Sequence, residues 1–432
     1  MKNEQLAFPE AFIFGASTSG GQTEGNHNSD WSQFEKRNAE SLSQNPQKRD
    51  FGNGRLQKRA RELLIPELSD PDNYRSGNGI GWREGRYIED LDIAQDLGLE
   101  AIRFSLERSF IEPQEGVINN DAIAHYKKFI EECNRRGIIP MTTLFHFTNP
   151  KWISEKGGWE RKEIVENFSN YSERLLKLLD TEFPYIIAIN EPELYSYLAY
   201  IKGEFPPEKQ NIYKFATVRK NLIECNKVMY EKLKNQYPTS QISTALNLID
   251  VEAKTKKPTD QLIVSVIDKV QKSLFAPQII EYADFISLNH YFHNIFSGSI
   301  TTGGNFSNSY TEKRSDLGWY LNPESIYHTL KYLHEQYRRP IFITENGLAD
   351  KNDIYRSWYI EEILKYVKKA MDEGVDIRGY LYWSLTDNFE WNKGKAARFG
   401  LVAIDYKTQK RSIRNSAYTY SDIIKNKKIA IS

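Results

Sequence analysis

Pro340-Ile-Phe-Ile-Thr-Glu-Asn-Gly347 runs from a proline through three large apolar residues to a carboxylate and stops on a glycine. About 150 residues upstream, Tyr185-Ile-Ile-Ala-Ile-Asn-Glu-Pro192 has the same form, with Glu191 where the apolar run ends. Both runs read as buried strands, each delivering a glutamate at its end. Similar runs recur at 11–15, 101–105, 138–145, 185–190, 242–248, 285–290, 341–345 and 379–384. Eight of them, each followed by helix-periodic sequence, are the number that closes a parallel barrel.

The segments between carry helix signals. Asn120-Asp121 can start one whose apolar face holds Ile123, Tyr126, Phe129, Ile130 and Cys133, with Gly137 as its stop. Ile164, Phe168, Tyr171, Leu175 and Leu178 form a second stripe; Pro323 opens a third with Ile326, Leu330 and Leu333. Residues 358–371 form a fourth, ended by Gly374. The expected fold is therefore α/β: a (β/α)8 TIM barrel forming one catalytic domain over residues 1–432, with loop insertions at the C-terminal face of the strands. Residues 27–86, polar and rich in Asn, Arg and Gly, read as a long loop after the first strand. Residues 201–212 and 293–320 read as shorter insertions after the fourth and sixth, and all three should wall a site. The basic run at 55–61 reads as solvated surface.

Composition works by exclusion. Lys and Arg total 58, balancing 58 Asp and Glu, so neither nucleic acid nor an anionic membrane is indicated as a partner. No stretch approaches a membrane span, and residues 1–10 hold no apolar signal segment. With only Cys133 and Cys225, a reducing, cytoplasmic location is expected. The seven histidines are scattered and no cysteine pair has zinc spacing, so no metal is expected. Gly77-x-Gly79-x-Gly81 follows no strand and opens no helix, which removes the case for a nucleotide; no cofactor is called for. Oligomerisation is left open.

Polar residues gather at one end of successive strands. Gln22 and Glu24 follow the first run, Arg103 lies in the second, His146 ends the third, and Asn190 and Glu191 end the fourth. Asn289 and Tyr291 close the sixth, Glu345 ends the seventh, and Trp383, Glu390 and Trp391 follow the eighth. A single residue of this kind would be structural; recurrence at one face marks a cleft. Two glutamates facing one another in a cleft can cleave a glycosidic bond.

The motifs around these residues together resemble family 1 of the glycoside hydrolases, the β-glucosidase and β-glycosidase group. Phe14-Gly-Ala-Ser-Thr-Ser-Gly-Gly-Gln22-Thr-Glu-Gly25, Arg103-Phe-Ser, Leu144-Phe-His146-Phe and Gly157-Gly-Trp159 occur in the family's order. Asn190-Glu-Pro192, Thr344-Glu-Asn-Gly347, Trp383-Ser-Leu-Thr-Asp-Asn-Phe-Glu-Trp391 and Arg398-Phe-Gly400 complete the set over nearly the whole chain. The resemblance implies a retaining enzyme that hydrolyses a small β-glycoside or oligosaccharide, as a β-glucosidase with room for β-galactosidase or β-fucosidase activity. By the resemblance Glu345 is the nucleophile and Glu191 the general acid and then base. Arg103, Tyr291 and Asn289 support the nucleophile, and Asn190 bonds the sugar 2-hydroxyl. Gln22, His146, Glu390 and Trp391 grip other hydroxyls, Trp383 floors the ring, and Phe399 joins the substrate site. The charge of Glu345 would raise the pKa of Glu191, and its loss in the covalent intermediate would lower it again.

Relatives that act on 6-phosphorylated sugars carry a small hydroxyl residue before the last Trp, a Lys before the Arg of the closing motif, and a Tyr after it. Here those positions hold Glu390, Ala397 and Phe399, which implies an unphosphorylated sugar. Other departures are Phe147-Thr148 for Trp-Asp, Ile186 for Trp, Arg108 and Phe110 for Trp and Arg, and His290 for Tyr. Asp387 and Glu193 read as structural acceptors. Two other readings stay open: a transglycosidase using the same intermediate, and a non-catalytic carbohydrate-binding protein, which would usually have lost one glutamate.

Overall fold

Strands buried on both faces pair in parallel between a filled interior and a coat of helices. In the computed structural model, which describes residues 5–48, 58–291, 293–296 and 313–430, eight such strands close a barrel. They are β1 (Ile13–Ser17), β2 (Ala101–Ser105), β3 (Ile139–Phe145), β4 (Tyr185–Asn190), β5 (Gln241–Asn247), β6 (Ile286–Asn289), β7 (Ile341–Asn346) and β8 (Ile377–Trp383). Every neighbouring pair is parallel, and β8 closes on β1 with Trp383 opposite Ser17. All eight expected strands start within two residues of the observed ones and overlap them. The first is displaced by two, because Phe12 N–H turns back to Pro9 O (2.9 Å) before the chain can extend.

Alternation along the strands sorts the barrel into layers. Ala101, Met141, Ile187, Ala245, Phe285, Phe342 and Leu381 make an apolar plug. Two residues further along their strands, Arg103, Thr143, Thr344 and Trp383 carry the interior from apolar to polar. Ser17 Oγ donates to Thr344 O (2.6 Å), and the hydroxyls of Ser287 and Thr344 lie 2.7 Å apart, so this layer is hydrogen-bonded within itself. The intervening residues, such as Ile102, Ile186 and Tyr380, point outward into the core shared with the helices.

The helix Asn120–Arg135 is capped by the Asn119 side chain, which accepts from Asp121 N–H. Glu163–Leu179 packs through Ile164, Phe168, Tyr171, Leu175, Leu176 and Leu179. Leu178 departs from the expected stripe: it is 41% exposed, and Leu179, four residues after Leu175, takes the packed position. The larger correction concerns residues 27–86. They are mainly helical where described, with helices Asp30–Ser43 and Lys58–Leu68. Ser29 and Ser32 form a reciprocal capping box at the first of these, and Trp31, Phe34 and Ala39 are buried beneath it. Residues 49–57, including the start of the basic run at 55–61, lie outside the described residues, as do 297–312 of the insertion at 293–320. Among the described residues, no helix is long and apolar enough to cross a membrane.

Two contacts fix the ends of β7 and β8 together. A Cβ on Gly347 would sit 1.8 Å from Trp383 O, so only glycine permits the chain to pass there. Arg356, fully buried, donates to Asp350 O (2.6 Å) and Arg398 O (3.0 Å) and pairs with the Asp353 carboxylate. Arg356→Met should therefore leave Asp353 uncompensated and lower the unfolding free energy by about 3–5 kcal/mol, read as a fall in the denaturant midpoint.

Candidate active site

Arg103 stands at the centre of the polar layer with no exposed surface. Its Nε donates to Thr143 Oγ1 (3.0 Å) on β3, its Nη2 to Asn190 Oδ1 (2.6 Å) on β4, and its Nη1 to the Glu345 carboxylate on β7. One guanidinium thus binds three other strands. The second Glu345 oxygen accepts from the Tyr291 hydroxyl at 2.9 Å.

Glu191 reaches the same centre by a backbone reversal. Its φ of 44° and ψ of 59° are left-handed, an uncommon conformation for a side chain of this size. Strand alternation would send Asn190 and Glu191 to opposite faces. Instead both meet the Asn289 amide, whose Nδ2 donates to Glu191 Oε1 (2.7 Å) and Asn190 Oδ1 (3.2 Å). The Asn289 side chain is also within hydrogen-bonding reach of Glu345, so a single amide lies between the two carboxyls. Thr344 holds that amide from behind, its hydroxyl 2.8 Å from Asn289 Oδ1. Glu191 and Glu345 are 3% and 4% exposed: buried, yet neither is sealed from the cleft.

The remaining expected residues form a collar. Gln22 Nε2 donates to Glu390 Oε2 (3.1 Å) and Phe389 O (2.9 Å), while its Oε1 accepts from Ser19 (3.0 Å). The Trp383 indole is within hydrogen-bonding reach of Glu390. His146 lies nearly parallel to Trp383 and Trp391, at 6.0 and 6.1 Å between ring centres. Phe399 packs 6.4 Å from Tyr291. Glu24 does not join: it turns away to the Tyr126 hydroxyl (2.6 Å). Asp387 is held by Arg414 (2.9 Å), and Glu193 accepts from Asn247 N–H.

The sequence profile of Glycosyl hydrolase family 1 matches residues 83–278 and 267–429. The chain belongs to this family. A β-glycosidase from Pyrococcus horikoshii superposes with a TM-score of 0.83 at 31% identity, over 99% of this chain and 97% of that one. Beta-glucosidase A of Acetivibrio thermocellus is 29% identical over 98% of this chain and 99% of its own length. A beta-galactosidase of Sulfolobus acidocaldarius is 26% identical over 98% and 96%. The chain is a glycoside hydrolase.

In this family 1 site, environment separates the two carboxyls. Burial above all, then the charge of Glu345, raises the Glu191 carboxyl well above the usual range. Burial raises Glu345 as well, and Arg103 and the Tyr291 hydroxyl pull it only part of the way back. Among the described residues Glu191 has no such cation, so the shared charge falls on Glu345 and the proton on Glu191. Burial, reinforced by Arg103, keeps His146 neutral by holding it well below the usual range. Burial also pushes Glu390 up to about 7 against the pull of Lys393, with Glu345 adding to the rise.

Two residues near the site were not anticipated. Trp319, in Asp316-Leu-Gly-Trp319, packs 6.4 Å from Tyr291 and 5.8 Å from Phe399, extending the aromatic wall. Asn247 ends β5 with its side chain in reach of Glu191. Polar residues at the ends of the other seven strands were a signal for Asn247; Trp319 was hidden inside a segment read as an insertion.

The departures from the family pattern fall mostly outside the cleft. Ile186 packs outward, and His290 bridges Leu248 O and Ser325 Oγ at 2.8 Å each. Arg108 bonds Glu112 (2.7 Å) and Asn167 (2.9 Å) and stacks over Tyr171, while Arg83 stacks over Phe110.

Coupling between the carboxyls is directly measurable. In Glu345→Gln the neighbouring charge is gone, so Glu191 should titrate at a lower pH than in the parent, followed by carboxyl 13C NMR. An unchanged midpoint would assign the whole shift to burial.

Proposed function

We propose that this family 1 enzyme hydrolyses unphosphorylated β-D-glycosides, β-D-glucosides foremost, with net retention. Glu345 attacks the anomeric carbon while Glu191 gives its proton to the departing oxygen, leaving a glycosyl ester on Glu345. Esterification removes the Glu345 charge. Glu191, now ionised and with a lower pKa, takes a proton from water as the water attacks the same carbon, which frees the sugar and restores Glu345. One observation carries the assignment: both carboxyls converge on Asn289, and among the described residues only Glu345 has a guanidinium.

The retention of both glutamates weighs against a purely sugar-binding role. The relatives' names, β-glucosidase and β-galactosidase, support a glycone in which one hydroxyl can take either configuration. Glu390 in place of a small hydroxyl residue supports the absence of a phosphate on that sugar. Cys133 and Cys225, both buried and unbonded, support a reducing, cytoplasmic compartment.

The roles separate by leaving group. Glu345→Ala should lower kcat/KM on an aryl β-D-glucoside by 10⁴-fold or more, since both displacements need it (order of magnitude, about 5.5 kcal/mol). Glu191→Ala should keep a near-normal first step with a dinitrophenyl leaving group and lose it with a phenyl one, because only the poorer leaving group needs a proton. The first product should be the β-anomer by 1H NMR; an α-anomer would mean inversion and a different role for Glu345.

The pH profile has its sign set by the same pair. Activity should fall at low pH as Glu345 gains a proton and at high pH as Glu191 loses one, so kcat/KM traces a bell. Arg103→Met removes the group that pulls Glu345 down, and the acidic limb should move to higher pH. A limb that stays in place would detach Arg103 from the nucleophile's ionisation.

A further inference from the structure

Glu191 leaves its strand by turning left-handed, and that turn interrupts a ladder. Asn190 of β4 pairs with Ala245 of β5, and Glu191 N–H donates to Ala245 O (2.8 Å). Bonds in a parallel ladder alternate from one strand to the other, so the next should run from Asn247 N–H to Glu191 O. That carbonyl is engaged elsewhere. The reversal at Glu191 (φ 44°) opens the short helix Pro192–Tyr197, and Glu191 O accepts from Tyr195 N–H (2.9 Å). Glu193 Oε1 takes the Asn247 N–H instead. A side chain two residues beyond Glu191 thus occupies the ladder position from which the backbone has withdrawn.

We propose that Glu193 is a positioning residue for the general acid, holding the end of β5 against the reversed chain so that Glu191 and the Asn247 side chain keep their relative places. Asn247 couples the two carboxyls. Its backbone N–H is held by Glu193, and its side chain lies within hydrogen-bonding reach of Glu191. Asn289 holds Glu191 Oε1 (2.7 Å), and Asn247 and Asn289 are themselves partners across β5 and β6. Releasing Asn247 would leave Asn289 to hold Glu191. Glu345 is anchored separately, by Arg103 of β2 and by Tyr291, so the disturbance should reach proton donation and spare the nucleophile. Burial pushes the Glu193 carboxyl up to about 8 against the pull of the Asn247 N–H. Near neutral pH it is mainly the uncharged acid, whose carbonyl oxygen accepts as an amide oxygen does.

Glu193 can act this way only if Glu191 is the general acid, and paired substrates keep the two claims apart. kcat/KM is measured on phenyl and 2,4-dinitrophenyl β-D-glucosides, of which only the first needs a proton on its leaving oxygen. Glu193→Leu lacks the acceptor. It should lower kcat/KM on the phenyl glucoside about tenfold, part of the roughly 10²–10⁴ that a positioned acid contributes, with the dinitrophenyl glucoside within about twofold. Glu193→Gln keeps an oxygen for Asn247 N–H and should stay within about threefold of the parent on both substrates. If the leucine variant does not fold, Glu193→Asp, one methylene shorter, withdraws the carboxyl from Asn247 and should give the same split. Equal losses on the two glucosides, no loss on either, or a glutamine variant as impaired as the leucine one would overturn the positioning role. Glu191→Ala is run alongside. A split there without one in Glu193→Leu removes Glu193 alone, while no split in Glu191→Ala removes the general-acid assignment beneath it.

Discussion

The site depends on a guanidinium buried where it can be solvated only by protein. Arg103 has no contact with solvent, so the cost of removing its charge from water must be met by Thr143, Asn190 and Glu345. Those partners come from three strands, and the arginine therefore fixes the relative positions of β2, β3, β4 and β7 at the height where chemistry occurs. It also breaks the symmetry between two buried carboxyls. Without a cation, both glutamates would be pushed toward the neutral form by burial, and neither would attack. With one, the nearer carboxyl keeps its charge and raises the pKa of the other.

Position alone would not bring both Asn190 and Glu191 into the cleft, because strand alternation sends consecutive side chains to opposite faces. The chain escapes this rule by left-handed residues at strand ends and in the collar. Phe147 (φ 71°), Glu191 (φ 44°) and Trp391 (φ 48°) follow His146, Asn190 and Glu390 directly. Each reversal costs on the order of 1–2 kcal/mol and lets neighbouring residues serve one site. The surroundings keep the reversals in place: Trp391 packs against Trp31 with the rings tilted by 40° and their centres 4.6 Å apart, and Glu191 is pinned by Asn289.

The barrel was legible because parallel strands buried on both faces leave uninterrupted apolar runs, such as Ile341–Ile343 before Glu345. The helices at 27–86 were not, because a helix packed through Trp31, Phe34, Ala39 and Leu42 on one side looks polar in composition. The expected site residues were readable through their recurrence at one end of successive strands, and the structure brings Gln22, Arg103, His146, Asn190, Glu191, Asn289, Tyr291, Glu345, Trp383, Glu390 and Trp391 around one centre. Glu24 shares that sequence signature and still turns away, since its direction is set by Tyr126 on a distant helix. The departures at 108 and 110 show the same limit. Read along the chain they look disruptive, yet Glu112 and Asn167 receive Arg108, and Arg83 covers Phe110. Compensation of this kind is spread across positions that only the fold makes neighbours.

Charge accounting at the collar bears on the substrate. Glu345 is matched by Arg103, and the raised pKa of Glu191 favours its protonated form, which leaves Glu390 as the further carboxyl of the collar. The cations of the segment after it are already committed: Lys393 pulls on Glu390 itself, Lys395 donates to Asp72 O (3.3 Å), and Arg398 is held by Glu67 (3.1 Å) and Ile404 O (3.0 Å). A phosphate placed there would meet a carboxylate with a pKa of about 7 and no uncommitted cation among these three, whereas a neutral hydroxyl can donate to that carboxylate or accept from its acid form. The Glu390 carboxyl, pushed up to about 7, can therefore meet a neutral hydroxyl in either of its ionisation states.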